Sequence, residues 1–108
     1  MQADQIIRAL GALAQEHRLA VFRLLVEAGP DGIAAGVLAE SVGVPPSSMS
    51  FHLAQLSAAG LVAQRRVSRS IIYSADYPAM TALIAYLTDN CCAGAACEVP
   101  AVGGCARV

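Results

Sequence analysis

The stretch from Pro45 to Ser74 constrains this chain more than any other part of it. Pro45-Pro46 supplies the backbone angle favoured at a helix start, and Met49, Leu53 and Leu56 then recur at i, i+4 and i+7, a narrow apolar seam. Gly60 closes that helix. Turning about 100° per residue away from the seam sends Ser47, Ser48, Phe51 and Gln55 toward solvent and places Ser50 and His52 on opposite flanks. The outer face is therefore uncharged and hydrogen-bonding. Immediately afterwards Leu61 to Arg66 and Ser70 to Ser74 have strand composition, joined by Val67-Ser68-Arg69 into a hairpin with a basic tip.

Charge follows the same division. The formal net charge is −1, and every basic residue is arginine. Residues 1–44 carry three Arg and five acids, residues 45–75 three Arg and no acid, and residues 76–108 one Arg and three acids. A near-neutral total argues against a generic polyanion binder, yet the middle third is locally cationic through Arg65, Arg66 and Arg69.

Four further helices are expected around this unit. Asp4 is placed to cap the first, in which Ile6, Ile7, Leu10 and Leu13 recur at helical spacing. The second runs from about His17 to Glu27 with Leu19, Phe22, Leu25 and Val26 inward, and Gly29-Pro30-Asp31-Gly32 ends it. Ile33 to Val42 reads as a short third helix closed by Gly43. Tyr77 to about Asn90 presents Met80, Leu83, Ile84 and Leu87 at i, i+3, i+4 and i+7.

Helix, tight turn, helix, then a basic hairpin is the layout of a winged helix-turn-helix, mainly α with a small β-hairpin, whose second helix enters the major groove. The helix supplies base contacts, and Arg65, Arg66 and Arg69 supply cations for phosphates. With 108 residues there is room for one domain, expected over 1–92, and an irregular tail over 93–108. The uncharged run Ser41 to Gln64 is interrupted by Pro45-Pro46, several serines, His52 and Gln55, so a membrane span is not expected. Met1-Gln2-Ala3-Asp4 lacks the positive start of a secretory signal, and a cytoplasmic location is expected.

All four cysteines, Cys91, Cys92, Cys97 and Cys105, fall in the last 18 residues, where a reducing cytosol keeps them as thiols. Such clustering calls for ligation or redox chemistry. Catalysis by them is not expected, because Cys91 and Cys92 stand at a helix C-terminus, where the dipole opposes thiolate formation.

The runs Leu13-Ala14-Gln15-Glu16-His17-Arg18-Leu19, Met49-Ser50-Phe51-His52-Leu53-Ala54-Gln55-Leu56 and Ala59-Gly60-Leu61-Val62, with Arg65-Arg66 and Tyr73-Ser74, resemble the ArsR/SmtB family of metal-sensing repressors. The resemblance covers about residues 5–90. It implies a homodimer built on the first and fifth helices, bound to a palindromic operator until metal releases it. Dimer contacts would then fall on Ile6, Ile7, Leu10 and Leu13 and on Met80, Leu83, Ile84 and Leu87. By position, Ser47, Ser48, Ser50, Phe51 and His52 match the family's reading helix and Arg65, Arg66 and Arg69 its wing. Pro46 departs from the family, which commonly has a polar residue there.

Members that bind metal on the third helix carry a Cys-x-Val-Cys-type motif, whereas here the segment reads Ala34-Ala35-Gly36-Val37-Leu38-Ala39. The fifth helix offers only Asp89 where other members use Asp and His for zinc. The expected sensor is therefore Cys91 and Cys92 with Cys97 folded back across Ala93-Gly94-Ala95-Ala96. Three thiolates suit a three-coordinate thiophilic ion, trivalent arsenic or antimony, as inducer, with no organic cofactor. This looks like the arsenic-responsive branch of the family. A thiol redox switch on the same fold, or a zinc or cadmium sensor, are the alternatives, and Cys105 is a spare or exchanging thiol.

Overall fold

The computed structural model describes residues 1–89. Cys91, Cys92, Cys97 and Cys105, and the expected division between 92 and 93, lie outside the described residues. The element order is α1 (Ala3–Leu13), α2 (Glu16–Ala28), β1 (Ile33–Ala34), α3 (Ala35–Val42), α4 (Pro46–Ala58), β2 (Val62–Val67), β3 (Ser70–Ala75) and α5 (Tyr77–Leu87).

Helix starts are made mostly by side chains that accept or donate at the free amide end. Gln2, not Asp4, occupies the cap of α1, where its backbone N–H donates to Gln5 Oε1 at 2.7 Å. Asp4 instead lies in the first turn and pairs with Arg8 at 3.2 Å. Gln15 Oε1 caps α2 by accepting from the Arg18 amide at 2.9 Å, and Asp76 Oδ1 caps α5 by accepting from the Ala79 amide at 3.0 Å. Pro46 opens α4 as expected from its preset φ.

The sequence reading of Ile33 to Val42 as one helix needs correction. Ile33 and Ala34 form β1, antiparallel to β3 with Ile33 opposite Tyr73 and Ala34 opposite Ile72. The sheet is three-stranded in the order β1-β3-β2, so the hairpin gains a third strand on its inner edge. The free edge of β3 supplies hydrogen-bond partners that outweigh a local helical tendency in a β-branched residue. Gly32 permits this docking: its φ is +77°, and a Cβ built there would overlap the carbonyl oxygen of Tyr73.

The core is formed by Val21 and Leu25 of α2, Leu38 of α3, Met49, Leu53 and Leu56 of α4, and Leu61, all essentially fully buried. The expected seam of α4 is thus the seam observed. In α2 the inward set differs by one: Leu19 is exposed and Val21 is buried in its place, because Val21, Phe22 and Leu25 share the stripe that meets α3 and α4. Tyr77 of α5 reaches across to donate its hydroxyl to the carbonyls of Val26 at 3.0 Å and Leu25 at 3.3 Å in the last turn of α2.

Ile6 and Leu83, assigned from the sequence to the two dimer stripes, are taken up by the chain's own core, beside which α1 and α5 meet. Leu13 and Met80 are half-buried against the same core. Ile7, Leu10, Ile84 and Leu87 remain exposed, Ile7 at 69% and Leu87 at 58%. Among the described residues no helix is long and apolar enough to cross a membrane.

Candidate nucleic-acid interface

Helix α4 presents its outer face as a consequence of its seam. With Met49, Leu53 and Leu56 at 1% exposure or less, the intervening Ser47, Ser50, Phe51 and Gln55 are exposed and Ser48 is half-buried. No residue from Pro46 to Ala58 carries a formal charge other than a titratable His52. Three hydroxyls and one carboxamide are left to donate or accept, and the Phe51 ring stands among them at 58% exposure.

His52 is not one of the free groups. Its Nδ1 lies 3.3 Å from Arg18 Nη1, and its ring centroid is 5.5 Å from that of His17 and 5.9 Å from that of Phe51. Arg18 also donates from Nε to the Ala12 carbonyl at 2.7 Å, at the end of α1, while Gln15 Nε2 lies 3.4 Å from His17 Nδ1. With Arg18 as donor, His52 Nδ1 accepts, which leaves the proton of the neutral ring on Nε2. Desolvation lowers the His52 pKa below its ordinary value, and the nearby Arg18 and His17 lower it further. The imidazole is thereby kept as a neutral brace between the α1–α2 corner and the reading helix. Sequence reasoning finds no partner for His17, since the residue it faces is 35 positions away. The run Gln15-Glu16-His17-Arg18 is visible in the sequence, but nothing local says which helix it meets.

The wing is the β2–β3 hairpin, paired in register from Val62 opposite Ala75 to Val67 opposite Ser70. Its turn is Ser68-Arg69, shorter by one than the three-residue connection expected, and Ser68 adopts a left-handed φ of +57° that suits a tight hairpin turn. The three wing arginines separate into two roles. Arg65 donates to the Asp31 carbonyl at 3.0 Å and so ties the wing to the loop before β1. Arg66 and Arg69 are exposed and make no hydrogen bond or ion pair with the described residues. Adjacent strand residues face opposite ways, which is why Arg65 turns to its own chain while Arg66 does not. Because β2 is an edge strand, its charges also discourage pairing with the sheet of another chain.

An uncharged, hydrogen-bonding helix beside a hairpin that carries free guanidinium groups matches the division of labour in DNA recognition, in which bases are read in the groove and phosphates fix the pose. Comparison with known proteins gives the family. A family model described as a helix-turn-helix domain matches residues 13–65. Nodulation protein NolR of Rhizobium meliloti is 36% identical over 74% of this chain, a match that spans 63% of NolR itself. The HTH-type transcriptional regulator YgaV of Escherichia coli is 33% identical over 83% of this chain and 89% of its own length. Among solved structures, an ArsR-like transcriptional regulator from Rhodococcus sp. RHA1 superposes with a TM-score of 0.68 at 27% identity, over 78% of this chain and 76% of that one. The homodimeric winged helix-turn-helix DNA-binding domain of Mb0332 from Mycobacterium bovis gives 0.64 at 26% identity, covering 88% of each chain. Reduced HlyU from Vibrio cholerae gives 0.66 at 27% identity, over 83% of this chain and 92% of that one. YgaV and the Rhodococcus protein are described as transcriptional regulators, and the Mb0332 domain as DNA-binding. The chain belongs to the helix-turn-helix transcriptional regulators of ArsR-like winged-helix fold, and it is a DNA-binding protein.

Proposed function

We propose that this regulator is an inducible repressor: a homodimer that holds a palindromic operator through α4 and the wing and releases it when trivalent arsenic or antimony binds the thiolates of Cys91, Cys92 and Cys97. The observation that carries the reading is the sequence position of Cys91-Cys92, four residues after α5 ends at Leu87. Helix α5, with α1, bears the exposed apolar side chains Ile84, Leu87, Ile7 and Leu10 that a second copy would cover. A ligand that gathers the three sulfurs acts on the element that sets the spacing of two reading helices. Soft, adjacent thiolates with a third nearby in sequence favour a three-coordinate thiophilic ion over tetrahedral zinc, whose paired ligands are usually separated by two to four residues. Among the described residues no three His, Cys, Asp or Glu side chains converge.

A second reading is a thiol redox repressor of the same fold. The kinship with HlyU, a protein described in its reduced form, favours it, and it uses the same cysteines.

Fluorescence anisotropy separates the two, using a labelled duplex that the protein has selected from a random library. Arsenite is expected to release the duplex from reduced protein, and a Cys91→Ser/Cys92→Ser variant is expected to bind the duplex and ignore arsenite. Release by peroxide, with arsenite inert, replaces the metalloid reading with the redox one.

A further inference from the structure

Phe51 is the one large apolar side chain on the reading face of α4, 58% exposed, with Ser47, Ser50, Ala54 and Gln55 exposed beside it. Its ring meets the His52 ring at 5.9 Å and an interplanar angle of 63°, an edge-to-face contact, and His52 is itself held by Arg18, which is anchored on the Ala12 carbonyl. Against His52 the ring still leaves an apolar edge exposed.

The rest of the helix says what that edge would meet. The reading face has no arginine or lysine, the side chains that pair bidentately with guanine, and no carboxylate to accept from cytosine. Its one carboxamide, Gln55, is of the type that pairs bidentately with adenine. The only apolar feature that a base pair shows in the major groove is the 5-methyl group of thymine. We infer that Phe51 packs on a thymine methyl in each half-site, and that the reading helix is built for A·T pairs. This rests on the assignment of α4 as the reading helix and goes beyond it by naming the base group that is read. A second copy of the chain is a poorer occupant, since the exposed large apolar side chains of α1 and α5 lie on other helices and Phe51 stands among Ser47, Ser50 and Gln55.

The test uses the duplex selected by the full-length protein, with each thymine replaced in turn by deoxyuridine, which keeps the base pair and removes only the methyl group. At one position per half-site the wild-type protein should lose about fourfold in affinity, the transfer worth of one buried methyl. Phe51→Ala should bind the unsubstituted duplex more weakly and lose the discrimination at that position alone. Phe51→Leu, which keeps an apolar contact, should retain part of it, and since Phe51 lies outside the core both variants should show the wild-type circular dichroism. The inference is overturned if wild type is indifferent to every such replacement, or if Phe51→Ala discriminates as wild type does. Failure of wild-type protein to select any duplex would overturn the reading-helix assignment and this inference together.

Discussion

Arg18 and His52 are 34 residues apart in sequence and 3.3 Å apart in the fold, where the guanidinium from the start of α2 braces the imidazole of the reading helix. Because Arg18 also donates to the Ala12 carbonyl at 2.7 Å, one side chain joins the end of α1, the start of α2 and the middle of α4. Arg18→Ala removes a charge-assisted hydrogen bond from a half-buried site and should cost about 1.5–3 kcal/mol of stability in urea unfolding. Arg18→Lys should restore little of it, since an ammonium does not reproduce the guanidinium fork. Equal stability of Arg18→Ala and wild type would show that the brace carries no energy.

Burial, then Arg18 and His17, depress the pKa of His52 in the folded chain. An unfolded chain whose histidine titrates near 6.5 therefore binds the proton first. Folding stability is fully present above about pH 6.5 and falls as pH drops from there toward the lower folded pKa. His52→Gln should flatten that part of the stability–pH curve, read by chemical unfolding at pH 5 to 8. A curve of unchanged slope in the variant would assign the acid sensitivity to another group.

Gly32 and Gly36 should respond to alanine in opposite directions. At Gly32 the left-handed φ and the approach of the Tyr73 carbonyl leave no place for a Cβ, so Gly32→Ala should cost about 2–4 kcal/mol. Gly36 sits in α3 with nothing near its would-be Cβ, and Gly36→Ala should gain about 0.5–1 kcal/mol from helix propensity. Thermal melts of the two variants check both signs.

The wing arginines should separate in a salt titration of DNA binding. Arg66→Ala and Arg69→Ala should each weaken binding to all sequences alike and lower the salt slope by about 1 for each phosphate no longer neutralised. Arg65→Ala should chiefly lower the melting temperature, because its guanidinium is engaged with the Asp31 carbonyl. Identical salt slopes in all three variants and wild type would remove the wing from the DNA interface.

Helices α1, α2, α4 and α5 are legible in the sequence because their apolar residues recur with a local period, and the basic hairpin because its strands and its cations are contiguous. The pieces that escape depend on distant partners. Ile33 and Ala34 become a strand only because β3 offers an edge, and Val21 displaces Leu19 only because of where α3 and α4 lie. Gln2 and Gln15 act as caps although glutamine is not among the preferred capping residues, so their roles are invisible to a rule based on residue type. The same limit applies to the interface. Its polar outer face follows from the seam of α4, whereas the withdrawal of His52 toward Arg18 and His17, and of Arg65 onto Asp31, needs the folded chain.

Action of thiolate ligation in the tail on the DNA-reading surface is tested most directly by reciprocity. Arsenite affinity of the reduced protein is measured by calorimetry with and without saturating operator duplex, beside operator affinity with and without saturating arsenite. Linkage requires the two ratios to be equal, and coupling of the usual size places both at about 5- to 150-fold. An arsenite affinity that is unchanged by operator, with arsenite nonetheless bound through Cys91, Cys92 and Cys97, would contradict the account, since the metalloid would then sit on the protein without acting on its grip.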